Sequence, residues 1–207
     1  MSESNESKIN HIVICGCGAA GANTFMHLIY AFPDLEYTLI DNDKVEHRNY
    51  SAGTQPYTKA DLNRPKVQAL QRIAKMSKGN VNICTVNERI NSKLRLTDRI
   101  HNKKETLVVD CFDNAESRNL VYSLGKSYNV VHIGFSAGLT GSIEWDSAFE
   151  KMEHDEKDEE IDVCEMSIAR PFIMGLTSIA SITLSNFITN GKKSNVFFSK
   201  DLNIFKF

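Results

Sequence analysis

Short, almost wholly apolar segments alternate with segments of helical periodicity along most of the chain. The apolar segments predict buried strands, and their nearly continuous hydrophobicity is typical of parallel strands covered on both faces. These predicted strands are residues 11–15, 36–41, 81–86, 106–110 and 130–135. The segments between them with helical periodicity are residues 20–32, 65–77 and 115–127. The alternation predicts an α/β fold with a mostly parallel sheet and right-handed crossovers.

The pattern changes in the last third of the chain. Residues 142–145 predict a short strand, with antiparallel pairing as one possibility, and residues 172–190 predict a long helix closed by Asn190-Gly191. Two short β-like runs follow, at residues 195–199 and 202–206. Residues 146–162 are acidic and almost free of aliphatic side chains, which indicates a solvated loop or, alternatively, a flexible cover over a site.

The domain organisation follows from these patterns. We expect a disordered tail at residues 1–8 and a single domain at residues 9–207, with a flexible acidic loop at about 146–163.

A glycine turn joins the first predicted strand to the first predicted helix. It reads Gly16-Cys17-Gly18-Ala19-Ala20-Gly21 and is followed, after a second strand, by Asp41. In such a strand–turn–helix unit the first two glycines bring the backbone close to a phosphate, and the third lets the helix pack on the strand. The turn therefore predicts a nucleotide site at Gly16, Gly18, Ala19 and Gly21, in a Rossmann-like, doubly wound sheet with helices on both faces. The alternative is a turn that only packs the helix on the strand.

Composition limits the binding partners and the cellular compartments that we expect for the protein. The net charge of −2 provides no general basic field for nucleic acid or anionic lipid. The five cysteines form no CxxC pair, so we predict no zinc site and reduced thiols in the cytoplasm. The polar N-terminus lacks the apolar core of a secretory signal. The apolar stretch Pro171–Ile188 is interrupted by polar residues, which favours a buried or interface helix over a membrane span.

Polar residues at predicted strand ends and helix starts are the candidates for ligand contacts. Asp41 is placed to bind ribose hydroxyls, and Asp43 either faces the phosphates or caps a turn. Lys66, at a helix start, could reach a phosphate as a point charge, although a surface lysine is the ordinary case.

Asp113 follows the fourth predicted strand, which should neighbour the first and place this carboxylate opposite the glycine turn. A carboxylate facing a triphosphate repels it unless a divalent cation lies between them, so the position predicts Mg²⁺. The alternative is that Asp113 or Asn114 caps the next helix. Arg118 is expected to pair with Asp110 or with Asp113.

Four ordered motifs together resemble the ThiF/MoeB/HesA superfamily, the adenylating enzymes related to ubiquitin-activating enzymes. They are the glycine turn, Asp41-x-Asp43-x-Val45-x-x-x-Asn49, Arg64-Pro65-Lys66-x-x-Ala69, and Asp110-x-x-Asp113-Asn114-x-x-x-Arg118. The resemblance covers roughly residues 10–190 and includes the small residues of the last long helix.

The resemblance implies that ATP rather than NAD occupies the glycine turn. It implies adenylation of the C-terminal carboxylate of a small ubiquitin-like (β-grasp) protein or peptide, by a homodimer or heterodimer. By position, Asp41 would bind ribose, Asn49 and Lys66 would hold phosphates, and Asp113 would bind Mg²⁺ and assist catalysis.

Two features depart from, or extend, the family pattern. The family's arginine three residues after the asparagine is replaced by Ala52, so Arg48 or Arg64 would have to substitute. A weakened relative acting as a partner subunit is therefore an alternative, and an NAD-dependent oxidoreductase is a less favoured one. Cys164 lies where relatives that form a thioester place a nucleophile, although the surrounding acids would raise its pKa and favour a structural role.

Overall fold

The computed structural model describes residues 8–146 and 166–206, in which an eight-stranded sheet forms the centre. Its strands are β1 (His11–Cys15), β2 (Glu36–Ile40), β3 (Asn82–Val86), β4 (Thr106–Asp110), β5 (Asn129–Phe135), β6 (Thr140–Trp145), β7 (Val196–Ser199) and β8 (Ile204–Lys206). The strand order is β3-β2-β1-β4-β5-β6-β7-β8. The five neighbouring strands β3, β2, β1, β4 and β5 are parallel to one another. Strands β6, β7 and β8 extend the sheet, each antiparallel to the strand before it. The predicted Rossmann-like α/β fold is confirmed, as is the pairing of β1 with β4.

The four predicted helices are present in the predicted order, and two short helices are added to them. They are α1 (Ala19–Ala31), α2 (His47–Ser51), α3 (Lys66–Lys78), α4 (Lys93–Thr97), α5 (Ala115–Tyr122) and α6 (Ala169–Asn190), with single 3₁₀ turns at Lys59–Asp61 and Gly125–Ser127. The helix predicted at 115–127 is divided, because Gly125 adopts a left-handed φ of 69° and starts a separate turn. The predicted end of the last helix is confirmed, since Gly191 is its left-handed cap with φ of 67°.

Two apolar layers cover the two faces of the sheet. In β1, Ile12 and Ile14 belong to the core that includes α1, α3 and α6, whereas Val13 and Cys15 belong to the core beneath α4 and α5. Because successive strand residues point to opposite faces, a run of apolar residues fills both cores at once. The uninterrupted apolar character of the central strands has this physical cause.

Helix α6 belongs to the first of these layers. Of the helices described, it is the one long and apolar enough to cross a membrane, with a mean hydropathy of 1.5, but half of that stretch is buried within the fold. It packs against α1, and Gly175 lets Phe198 of β7 approach the helix backbone. Its burial here agrees with the interpretation as a core helix.

Some expectations differ from the structure or fall outside it. Cys84 is exposed on β3, which is an edge strand. The acidic segment lies outside the described residues except for Asp146, whose carboxylate pairs with Lys193 at 2.6 Å. The predicted tail also lies outside them, except for Lys8.

The turn between β1 and α1 is built by close backbone contacts. Gly16 has φ of 90°, and a Cβ there would lie 2.7 Å from the carbonyl oxygen of Cys111. A Cβ at Gly21 would lie 1.9 Å from the carbonyl oxygen of Gly16. A Cβ at Gly18, in contrast, would meet no atom within 4 Å. The first and third glycines are therefore required by packing, and the second leaves open space above the backbone.

We predict that Gly21→Ala destabilises the protein by about 1–3 kcal/mol or more, because α1 must move away from the turn. Gly18→Ala is the matched control and should change the free energy of unfolding by less than about 0.5 kcal/mol. Chemical denaturation followed by circular dichroism measures both. Equal losses in the two variants would contradict this account of the turn.

Candidate functional site

A cleft of about 760 Å³ opens at the carboxyl ends of the parallel strands. It lies where the direction of strand order reverses between β1 and β4, which is where ligands bind in doubly wound sheets. The structure brings most of the predicted site residues together here, namely Gly16, Gly18, Ala19, Asp41, Asp43, Arg48, Asn49, Lys66 and Asp113. Gly21 packs beneath the turn, and Cys164 lies outside the described residues.

The glycine turn presents the start of α1 to the cleft. The first helical hydrogen bond runs from the amide of Ala22 to the carbonyl oxygen of Gly18, so the preceding amides of the first turn have no acceptor within the helix. Tyr57 Oη donates to the carbonyl oxygen of Cys17 at 2.6 Å. Asn23 Nδ2 donates to the carbonyl oxygens of Ala19 and Thr54 at 2.7 and 2.8 Å. These bonds fix the turn, and a helix terminus of this kind is able to bind an anion.

Asp41 connects the glycine turn to the end of β2. It is only 8% exposed, and its Oδ2 accepts from the Cys17 amide while its Oδ1 accepts from the Asp43 amide, both at 2.7 Å. Burial raises the pKa of this carboxyl, against the opposing effect of the Lys66 cation and the two amides. The predicted turn cap is therefore Asp41 rather than Asp43. Its position on the cleft wall is compatible with the predicted ribose contact.

Lys66 brings the positive charge expected at a phosphate site. Its Nζ donates to Asp43 Oδ2 at 2.8 Å, and its amide donates to the carbonyl oxygen of Asp43 at 2.9 Å. Burial alone would lower the pKa of Lys66, but the nearby carboxylates of Asp41, Asp43 and Asp113 together raise it. The lysine is therefore held as a buried cation at the start of α3.

Helix α2 brings Arg48 and Asn49 to the cleft. Asn49 is buried, and its Oδ1 accepts from the Glu46 amide at 2.8 Å, which caps the helix. Arg48 pairs with Glu46 at 2.9 Å on an exposed surface at the cleft rim. Arg64, the other suggested substitute for the missing family arginine, is exposed and does not line the cleft.

Asp113 and Asn114 divide the two roles that the sequence left open. Asn114 caps α5, because its Oδ1 accepts from the Ser117 amide at 2.9 Å. Asp113 lies one residue earlier, exposed at the cleft, with its Oδ1 3.5 Å from Asn114 Nδ2. Within residues 8–146 and 166–206, no cluster of three or more His, Cys, Asp or Glu side chains could hold a metal by itself.

Sequence reasoning missed several cleft residues. Glu88 and Arg89 follow β3: Glu88 is held by Arg95 at 2.9 Å and Arg99 at 2.6 Å, and Arg89 pairs with Glu116. The far wall comes from β5, β6 and β7, through Phe135, Ser136, Thr140, Ser142 and Phe197. The rule that ligands bind beyond the carboxyl ends of strands could have found the residues after β3 and β5. No local signal shows that side chains of the antiparallel strands line the cleft.

Arg118 was expected to pair structurally, and it does pair with Asp110, whose Oδ2 lies 3.7 Å from Arg118 Nε. The same carboxylate oxygen lies 2.7 Å from His132 Nδ1, and both Asp110 and His132 are buried. His132 is thus a buried histidine of the core with a hydrogen-bond partner. Arg118 nevertheless also lines the cleft, which the sequence analysis did not anticipate.

Three cysteines in or near the glycine turn are not suited to nucleophilic attack, and of these Cys111 lines the cleft. Burial raises the pKa of the Cys15, Cys17 and Cys111 thiols, and nearby carboxylates add to the effect. A thiol that stays protonated is a poor nucleophile.

We predict that Lys66→Met raises the pKa of Asp41 further, because burial remains while the opposing cation is lost. A raised carboxyl pKa means that the folded state binds more protons than the unfolded state above the ordinary value of 3.8. The free energy of unfolding should therefore fall as the pH rises from the ordinary pKa to the raised pKa of Asp41. This pH range should be wider in Lys66→Met than in the unaltered protein. A ¹³C NMR titration of the Asp41 carboxyl carbon measures the shift. Lys75→Met, on the exposed face of α3, is the matched control, and an unchanged Asp41 titration in Lys66→Met would refute the coupling.

The comparisons with known proteins agree with this geometry. The ThiF family model matches residues 3–204. Crystal structures of E. coli MccB with MccA-N7isoASN and with ATP superpose with TM-scores of 0.74 and 0.72, each at 17% identity. The structure of selenomethionine PaaA superposes with a TM-score of 0.70 at 18% identity. No curated protein matches the sequence.

These structural relatives are longer than the protein. Each alignment covers 98% of this chain, but 65% of MccB with MccA-N7isoASN and 64% of MccB with ATP and of PaaA. The chain thus spans a little less than two thirds of their length, and at these identities the likeness establishes the shared fold. The family match extends over nearly the whole chain and coincides with the glycine turn, Asp41, Lys66 and Asp113 at one cleft. The protein belongs to the ThiF family.

Proposed function

We propose that the protein uses ATP to adenylate the C-terminal carboxylate of a peptide or of a small ubiquitin-like (β-grasp) protein. One observation carries the proposal: a single cleft combines the open amides at the start of α1, the Lys66 cation and the Asp113 carboxylate. This is the set of groups that an ATP-dependent transfer at phosphorus requires, since such catalysis depends mainly on positioning and charge stabilisation.

The nucleotide would lie across the ends of β3, β2 and β1. Its phosphates would approach the backbone at Gly18, where the structure leaves open space, and would meet the amides of the first turn of α1. Lys66 would exchange part of its ion pair with Asp43 for a phosphate oxygen. Asp41 would accept a hydrogen bond from a ribose hydroxyl, because its two hydrogen bonds from backbone amides leave carboxylate lone pairs available.

The residues present fit a magnesium ion bound together with ATP. Mg²⁺ is commonly bound by one or two carboxylates together with substrate phosphates, and it needs no cage of protein ligands. Asp113 supplies an exposed carboxylate on the cleft wall, opposite the glycine turn. When bound, the ion would offset the repulsion between Asp113 and the triphosphate and neutralise developing charge on the phosphate oxygens.

In the proposed reaction an oxygen of the acceptor carboxylate attacks the α-phosphorus of ATP. The new bond joins this oxygen to phosphorus, and the bond from the α-phosphorus to the bridging oxygen of the β-phosphate breaks. Pyrophosphate leaves with the electron pair, and the product is an acyl adenylate. No proton has to be moved, because the carboxylate attacks as an anion. Lys66 and the amides of α1 stabilise the charge that spreads over the phosphoryl oxygens.

The structural relatives support this choice of substrates. MccB has been crystallised with MccA, AMPCPP and ATP. A peptide acceptor is therefore as strong a candidate as the ubiquitin-like protein implied by the family resemblance. Transfer to a cysteine and the formation of a homodimer or heterodimer stay predictions, and Cys164 lies outside the described residues.

The presence of arginines in the cleft favours an active enzyme over an inactive partner subunit. The family's usual arginine is replaced by Ala52, but Arg48 and Arg89 both line the cleft. Each of them can bring cationic charge to the site without the missing side chain.

We predict that Asp113→Ala weakens Mg²⁺-dependent binding of AMPCPP by at least about tenfold, because the ion loses its protein ligand. Isothermal titration with and without Mg²⁺ measures the effect. Asp201→Ala, at an exposed turn far along the chain, is the matched control and should bind like the unaltered protein. Unchanged binding in Asp113→Ala would show that the metal assignment is wrong.

Adenylation itself is tested by ATP–pyrophosphate exchange with MccA-type peptides and β-grasp proteins as acceptors. We expect exchange that Lys66→Met reduces about 100-fold or more, since a charge-stabilising group is lost. The absence of exchange with every acceptor, although ATP binds, would favour the partner-subunit alternative. Preferential binding of NAD over ATP would overturn the proposal.

A further inference from the structure

The cleft extends beyond the part that the nucleotide would fill. Past Asp113 it continues along the start of the β5–β6 hairpin, where Ser136, Thr140 and Ser142 line one wall. This half is remote in strand order from β2 and β3, and Phe135 and Phe197 line it together with these hydroxyl groups. It is the part of the cleft open to the second substrate in the proposed reaction.

A buried charged group lies at the base of this half. Asp110 is fully buried at the end of β4, and a buried carboxylate is costly unless it is paired and hydrogen bonded. Its Oδ1 accepts from the Phe112 amide at 3.2 Å, and its Oδ2 lies 2.7 Å from His132 Nδ1. A carboxylate only accepts, so the histidine carries the proton of this bond. The Asp110 carboxylate thus accepts hydrogen bonds from His132 and from the Phe112 amide, in addition to its contact with Arg118.

The Arg118 side chain lies beside this pair. Its Nε lies 3.7 Å from Asp110 Oδ2, which is too long for a hydrogen bond. Its terminal nitrogens lie across Gly134 of β5, where a Cβ would be 3.2 Å from Nη1 and 3.3 Å from Nη2. The glycine therefore makes room for a guanidinium that reaches the cleft while its inner nitrogen faces the buried carboxylate.

We propose that Arg118 binds the terminal carboxylate of the acceptor, and that the Asp110–His132 pair positions it. The proposal rests on the function proposed above and names the residue that selects its second substrate. An anionic carboxylate must come close to an anionic triphosphate, and a cation on the acceptor side offsets this repulsion. The flat guanidinium of arginine matches a carboxylate with two parallel hydrogen bonds, which a lysine cannot provide.

The selectivity for a free carboxylate can be measured without knowing the acceptor. The probes are two synthetic heptapeptide libraries of the same composition, one ending in carboxylates and one in amides. The protein is saturated with AMPCPP and Mg²⁺, so that no turnover occurs, and the retained peptides are quantified by mass spectrometry. We expect retention of acids over amides by about 10- to 100-fold, the range for hydrogen bonds to charged groups.

The variants separate binding by Arg118 from a structural role. Arg118→Ala should abolish the preference, and Arg118→Lys should retain only part of it. Gly134→Ala should also reduce the preference, because the new Cβ displaces the guanidinium while leaving every charge in place. Arg64→Ala, an exposed arginine outside the cleft, should retain the full preference. The affinity for AMPCPP should stay within twofold throughout, since these residues lie beyond the nucleotide.

The positioning pair is tested at His132. His132→Asn keeps an N–H donor for Asp110 and should preserve most of the preference, whereas His132→Leu should lose it. The inference is overturned if Arg118→Ala still prefers acids, if acids and amides are retained alike, or if no peptide is retained by a protein that binds AMPCPP. A failure of AMPCPP itself to bind overturns the proposed function as well, so the two failures are distinguishable.

Discussion

The site depends on the hydrogen bonds that a buried carboxylate makes at the end of β2. Asp41 accepts from the amide of Cys17 in the glycine turn and from the amide of Asp43 in the following segment. These two bonds hold the start of α1 and the segment leading to Lys66 in fixed positions around one side chain. Because burial disfavours the ionised carboxyl, the Lys66 cation is needed nearby, and it is held there by Asp43. Loss of this carboxylate would affect the turn, the lysine and the cleft wall together.

Several charged groups in and beneath the cleft are paired within the protein. Lys66 is shared by carboxylates on two sides, Glu88 by two arginines, and Asp110 by His132 and Arg118. A triphosphate bound as proposed would therefore replace the existing ion pair of Lys66 with Asp43 instead of meeting a bare charge. Such an exchange costs less desolvation at the time of binding, because the cations are already partly removed from water.

The sequence was informative where a local pattern has a single physical solution. Apolar runs predicted the strands, because a strand covered on both faces has no polar side, and the glycine spacing predicted the turn. The sequence could not show which aspartate closes the turn, because Asp41 and Asp43 differ only in the amides that surround them after folding. Nor could it reveal the role of Arg118, whose environment comes from His132 and Gly134 on the neighbouring strand, brought close by the pairing of β4 with β5. These contacts are long-range and leave no periodic trace.

The reversed direction of β6 has an evolutionary consequence. Since β6 runs antiparallel to β5, the turn at residues 136–139 lies at the cleft, whereas the groups proposed for ATP all come from the parallel strands and their loops. Insertions or substitutions in this hairpin can reshape the acceptor wall while the glycine turn, Asp41 and Lys66 stay untouched. The architecture thus separates the half proposed to bind ATP from a hairpin that can change without rebuilding that half.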